Sequence, residues 1–333
     1  MNLKSTFEWL PVTTLANGCE LRLPLHIVKG NRPGPTLGLS GAVHGDEFLP
    51  TVAIIRRVLE LIDPAELSGT LMAVPICNPL GAGARSRMTP ADGMNLNSAF
   101  ANLAKNGPSK DMTSISELMA QVLTEKFLSR LNYQIDFHSG GDYHSVHMIE
   151  FPNTPVGLSM ARAFNMPILL RDDWQPDQIW GMAAKLGVEC IVAECGGGGT
   201  LHAEWVERGV QGTFNVMRQL GMLPGKVQPP PKQYVVANDD PKVHNLVIVL
   251  PREGGVVIPE PVLTTQVAFD GQPLDGPVTV GKLLNMYDLT VVEEYKTPFN
   301  HTLLLASMVV PAWYFSGEIA YIYADADKAE ILD

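Results

Sequence analysis

The sequence predicts an α/β protein: a catalytic-sized α/β domain over about residues 1–225 and a second, smaller β-rich domain over 226–333. Three observations predict it. Short apolar runs alternate with helix-like segments through the first two thirds, the pattern of an α/β domain with a largely parallel sheet. The segment LPGKVQPPPKQ, at 223–233, then interrupts the pattern with residues that continue neither a helix nor a central strand. Beyond it lie only short β-branched and aromatic runs between Gly and Pro turns. At 333 residues the chain also exceeds the size at which one core stops growing.

In chain order, strands are expected at 36–43 and 69–76, with a helix at 48–62 between them. A helix at 114–131 carries Ile115, Leu118, Met119 and Val122 on one face. Ser114 and Glu117 at its start have capping-box spacing. Strands follow at 133–137, 146–149 and 189–194, then a helix at 203–220. Past the Pro-rich segment, strands are expected at 245–250, 289–293, 302–310 and 319–323.

Composition excludes several classes. A formal net charge of -11, without a basic stripe, argues against nucleic acid as a partner. The hydrophobic share of 46% is too high for a disordered chain. MNLKSTFEWLPVTT lacks the apolar run of a signal peptide, and no stretch reaches the roughly 18 apolar residues of a membrane span, so a cytoplasmic location is expected. Cys19, Cys77, Cys190 and Cys195 are scattered without a C-x-x-C pair, which suggests neither a disulfide framework nor a thiolate zinc site. Cys77 and Cys190 sit in apolar runs and are expected in the core. A homo-oligomer is compatible with the sequence.

Three strand ends carry residues capable of chemistry. In LGLSGAVHGDEFLP the first strand delivers His44 into a turn and Glu47 opens a helix, so an imidazole and a carboxylate can reach one divalent ion. A surface turn would show the same pair. In QIDFHSGGDYH a second strand ends in His138, at the side of the sheet where open α/β proteins build their sites. Two His and one Glu with a fourth position open to water are a catalytic zinc set. Asp136 either orients His138 or is a strand-end carboxylate that caps a helix or faces solvent. In ECIVAECGGGG, Glu194 closes an apolar strand, where a carboxylate is costly unless paired or used. It is a general base beside the metal, or it only accepts hydrogen bonds from the glycine turn. His144 and His147 read as structural rather than as a second metal site.

In this order the motifs resemble the succinylglutamate desuccinylase/aspartoacylase family, a branch of the zinc carboxypeptidase fold, which implies a mixed sheet flanked by helices. The resemblance extends through PICNPLGAGARSRMTPADGMNLNSAF and GTFNVMRQLGML. It implies one Zn2+ per chain on His44, Glu47 and His138, with Glu194 as general base. Arg87 is implied to polarise the scissile carbonyl, and Asn97 and Ser98 to face the substrate. The implied activity is hydrolysis of a small N-acylated amino acid or amine. One departure bears on the substrate: where the family has Asp-x-Asn-Arg, this chain has Asn95, Leu96, Asn97 and Ser98. Serine offers no permanent charge to clamp a carboxylate. The rivals are a metallocarboxypeptidase on short peptides, which needs a cationic pocket, and a non-catalytic metal- or ligand-binding protein on the same scaffold. The latter would be expected to lose a ligand or the base first. The sequence contains no G-x-S-x-G elbow or complete G-x-G-x-x-G fingerprint.

Overall fold

A computed structural model describes residues 4–107, 114–172, 178–197, 199–237, 245–260 and 270–332. An antiparallel pair, β1 (Thr6–Thr14) and β2 (Glu20–Lys29), opens a 14-stranded sheet. β3 (Arg32–Gly41) crosses through α1 (Phe48–Leu61) to its parallel neighbour β4 (Ser68–Val74), which inserts beside β2. After α2 (Pro79–Ala84), α3 (Leu96–Asn106) and α4 (Ile115–Lys126), β5 (Tyr133–His138) lies parallel to β3 on its other side. β6 (His144–Phe151), α5 (Pro155–Ala163), β7 (Ile168–Arg171), α6 (Ile179–Lys185), β8 (Glu189–Gly197) and α7 (Ala203–Gln219) follow. β8 is parallel to β5, but β6 runs antiparallel to β8. The centre is therefore parallel, as expected, and the whole sheet is mixed.

Alternation along β5 shows why the centre holds a site. Ile135 and Phe137 enter a core shared with Ile54 and Val58 of α1 and Val210 and Val216 of α7. Gln134, Asp136 and His138 face the other side, whose core contains Phe100, Leu123, Ile179 and Val192. Both faces are covered, so this polar set is buried.

The Pro-rich stretch joins α7 to β9 (Gln233–Ala237), which pairs in parallel with β7. Of the following strands, β10 (Leu246–Val249) lies in the large sheet, and β11 (Gly255–Pro259) in a second sheet. β12 (Leu274–Asp275) is a short partner of a later strand of the large sheet; β13 (Thr279–Leu284) and β14 (Val291–Lys296) pair in the second. β15 (His301–Met308) pairs with both β12 and β6; β16 (Ala312–Tyr314) completes the second sheet. β17 (Tyr321–Asp325) pairs with β15 and β10, and β18 (Glu330–Leu332) with β9. The β-rich second region is thus present, with a smaller four-stranded antiparallel sheet.

Element ends shift for local reasons. The helix expected to reach residue 131 stops at Lys126, because Phe127 leaves helical geometry at φ -121°. Strands expected at 146–149 and 189–194 extend to Phe151 and Gly197, since Ser145 pairs with Gly197. Gly197, at φ 137°, makes that pairing: a Cβ there would lie 2.2 Å from the His144 carbonyl oxygen. Cys77 and Cys190 are buried. Among the described residues no helix is long and apolar enough to cross a membrane.

Candidate active site

β3 ends at a reversal in which Ala42 takes φ 50°. The buried backbone acceptors that the reversal leaves outside the strand ladder are satisfied by the next crossover: Cys77 and Asn78 donate N–H bonds to the carbonyls of Gly41 and Ala42 at 2.9 and 3.0 Å. Gly45 packs so tightly on α2 that a Cβ would lie 1.9 Å from the Gly81 carbonyl carbon. A short 3-10 turn, Gly45–Glu47, then swings Glu47 back beneath His44. His138, the last residue of β5, completes the group, and the donor atoms of His44, Glu47 and His138 lie within 4.8 Å of one another.

Both imidazoles present Nδ1 to the carboxylate. His44 Nδ1 lies 2.8 Å from Glu47 Oε1, and His138 Nδ1 lies 2.8 Å from Oε2. Their other nitrogens are engaged behind. His138 Nε2 meets Asp136 Oδ2 at 2.9 Å, and a carboxylate only accepts, so the Nε2 proton is donated to it. Asp136 is fixed in turn by Ser40 Oγ, which donates to Oδ1 at 2.6 Å and accepts from Gln134 Nε2 at 2.8 Å. His44 Nε2 donates to Asn95 Oδ1 at 3.2 Å; that oxygen also accepts the Asn97 N–H, which identifies it as the acceptor end of the amide. Each ring therefore turns Nδ1 into the site: His44 as a lone pair, and His138 as a lone pair once a metal ion takes the place of the proton that its high pKa holds there.

Burial holds His44 below the ordinary imidazole range, hence neutral. Burial would depress His138 too, but the carboxylates of Asp136 and Glu47 outweigh it and hold that ring well above its usual value. Burial likewise opposes charge on Glu47, and the two imidazoles outweigh it, holding the carboxyl well below its usual value. Three acceptors converging at hydrogen-bond distance need a positive charge among them. With protein groups alone a proton supplies it, and the donor set equally fits a divalent cation.

Glu194 is the cross-strand partner of His138 on β5 and of Met148 on β6. Its Oε2 is sealed from solvent with no hydrogen-bond partner among the described residues. Burial first, then the Glu47 and Glu150 carboxyls, push it up to about 8, against the pull of His138. Arg87, half-exposed, donates to Glu47 Oε1 at 2.8 Å. Asn97 is buried and accepts the Ile179 N–H at 3.2 Å, tying α3 to the start of α6; Ser98 is exposed on α3. His147 stacks on Trp205 at 5.2 Å, and His144 bonds the Ile319 carbonyl and the Tyr314 hydroxyl, so neither joins the group.

Sequence reasoning overlooked Asn95 as the partner of His44, and the Ser40–Gln134 pair behind Asp136. Only tertiary pairing shows these. It also overlooked Glu150, which carries the same signal as Glu194: an acid in the apolar run HMIEF.

Residues 33–220 match the family model for the succinylglutamate desuccinylase/aspartoacylase catalytic domain. An N-alpha-acetyl-L-2,4-diaminobutyric acid deacetylase from Halomonas elongata is 27% identical over 280 residues, 80% of this chain and 75% of that protein. Two solved structures share the fold. The succinylglutamate desuccinylase/aspartoacylase of Rhodobacter sphaeroides gives a TM-score of 0.77 at 20% identity, covering 96% of this chain and 95% of that one. The product-bound ectoine utilization protein EutE (DoeB) of Ruegeria pomeroyi gives 0.78 at 22%, covering 96% and 94%. With the family model spanning more than half of its length, the chain belongs to the succinylglutamate desuccinylase/aspartoacylase family of amide-hydrolysing deacylases.

Proposed function

We propose that the protein is a zinc-dependent deacylase that frees a small amino acid or amine from its N-acyl group, and that the preferred amine carries a cationic rather than a second anionic group. The observation behind the zinc assignment is the convergence of the two Nδ1 atoms and the Glu47 carboxylate, with both Nε2 protons committed elsewhere. Zinc held by His44, Glu47 and His138 supplies Lewis acidity, polarising the amide carbonyl and making water a better nucleophile.

The chain's own residues do the rest. Glu194 stands beside His138 with a high proton affinity, so it takes the proton of the attacking water and passes it to the leaving nitrogen. Arg87 supplies a cation where negative charge grows on the carbonyl oxygen. Asp136 and Asn95 hold the two imidazoles in the ligand tautomer. The hydrolysis consumes one water and yields a carboxylate and a free amine.

Two observations support the substrate assignment. Ser98 stands where the family's carboxylate-clamping Arg is expected, and the Halomonas relative bears the name of an enzyme for an acetylated diamino acid. The test is a hydrolysis screen of N-acetyl, N-succinyl and N-formyl amino acids and diamines with zinc-loaded protein. Metal analysis is expected to find about one zinc per chain, most of it lost in His44→Ala and in His138→Ala. Full zinc content in both variants would overturn the ligand assignment, and efficient hydrolysis of N-acetylaspartate would overturn the substrate assignment.

A further inference from the structure

Resting on that reading, we infer that Glu150 determines specificity, its carboxylate receiving a cationic group on the amine portion of the substrate. Sheet register places it. Val192 of β8 pairs with Asp136 on one side and Glu150 on the other, and the next pairs on the same face join Glu194 to His138 and to Met148. Paired side chains share a face and alternate positions repeat it, so Glu150 projects from the surface that presents His138 and Glu194. It lies two residues, about 7 Å, deeper than the proton-transferring carboxylate.

Its surroundings set the chemistry. Glu150 is partly buried, and burial and neighbouring charges rather than hydrogen bonds set the state of its carboxyl. Its cross-strand neighbours are Val192 and Leu170, both apolar. The titratable groups that act on it are Asp172, His138, Asp136 and, by mutual repulsion, Glu194; Arg171 pairs with Phe151 and so belongs to the opposite face. Burial, then Asp172, push the carboxyl up to about 7. An acid so placed is costly unless a ligand partners it. An ammonium group there would complete a charge-assisted hydrogen bond, whereas a substrate carboxylate would meet Glu150 and Asp172 without the compensating arginine that Ser98 has replaced.

The experiment is calorimetric titration of the purified protein with 2,4-diaminobutyrate and with norvaline, its neutral isostere, in wild type, Glu150→Gln and Glu150→Asp. Wild type is expected to bind the diamino acid about 30-fold or more tighter than norvaline. Glu150→Gln is expected to erase that preference while keeping norvaline affinity within about twofold, and Glu150→Asp to retain part of it. Equal affinity in wild type, or an undiminished preference in Glu150→Gln, overturns the inference. Binding needs no turnover, so the two readings fail separately. Absence of any deacylation overturns the proposed function, deacylation with no cation preference overturns its substrate assignment together with the role of Glu150, and a cation preference that survives in Glu150→Gln overturns only the role of Glu150.

Discussion

Glu47 shows how one residue is fixed by several demands at once: it faces two imidazoles, accepts from Arg87 and lies beneath a glycine-dependent turn. Glu194 is different, with one oxygen sealed and without a hydrogen-bond partner among the described residues, and that difference predicts a division of labour. Glu194→Gln keeps the shape but cannot accept a proton, so turnover is expected to fall roughly 100-fold or more while zinc content is unchanged; normal activity in this variant would leave proton transfer to another group. His147 offers a test of stability. Burial first, then Arg208, lower its pKa from 6.5 to about 3. The folded ring stays neutral while the unfolded chain takes up a proton below pH 6.5, so this residue costs stability as pH falls from about 6.5 toward 3. The slope is about 1.4 kcal/mol per pH unit. Urea titrations of wild type and His147→Phe at pH 7, 6 and 5 are expected to show a steeper acid loss in wild type, and parallel curves would refute the assignment. The clustering of His44, Glu47 and His138 was legible in the sequence because each lies at or near a strand end or helix start; Glu194 was expected at a strand end but lies inside β8, which continues to Gly197. Asn95 and Ser40 were not legible, because their importance comes from partners 51 and 96 positions away.

The elements most readable from sequence were those with a strong period or a cap. α4 begins where Ser114 Oγ accepts the Glu117 N–H at 3.1 Å, and α1 and α7 follow their apolar stripes. α2, of six residues including two glycines, offers almost no pattern, yet it packs against the turn that carries Glu47. Its position follows from the close approach of Gly45 to Gly81, which composition alone does not reveal. A methyl group at residue 45 has no flexible side chain to displace, only backbone. Gly45→Ala is therefore expected to push α2 away, cost roughly 2 kcal/mol or more of stability, and reduce zinc content as Glu47 and Arg87 lose their relative placement. Melting temperature and metal stoichiometry check it; a variant with wild-type values of both would mean that the turn tolerates the shift.

At the scale of the whole molecule, the Pro-rich segment and the sheet divide the chain differently. Composition changes abruptly near residue 225, which makes the second region look like a separate unit. The hydrogen-bonding does not stop there. β15 pairs with β6 through Ala306 and Val146, and β9 pairs with β7 through Val235 and Leu169. The core around Met148, Ile168 and Leu170 is closed by Leu303, Leu305 and Ala324. Removing residues 226–333 would strip the partners from β6 and β7 and expose apolar side chains along an unpaired edge, the condition that favours aggregation. A chain ending at residue 225 is therefore expected to be largely insoluble. The full chain is expected to lose its secondary structure and its Trp205 environment in coincident urea transitions, as a single cooperative unit does. A soluble, zinc-binding 1–225 fragment, or two separated transitions, would show that the second region merely adds strands to a sheet already stable without them. β6 would then need no partner on that side, and Glu150, which it carries, would keep its place beside Val192 in the fragment. The diamino acid preference measured on such a fragment would accordingly match that of the full chain, whereas a sheet that depends on β15 would lose it together with its solubility.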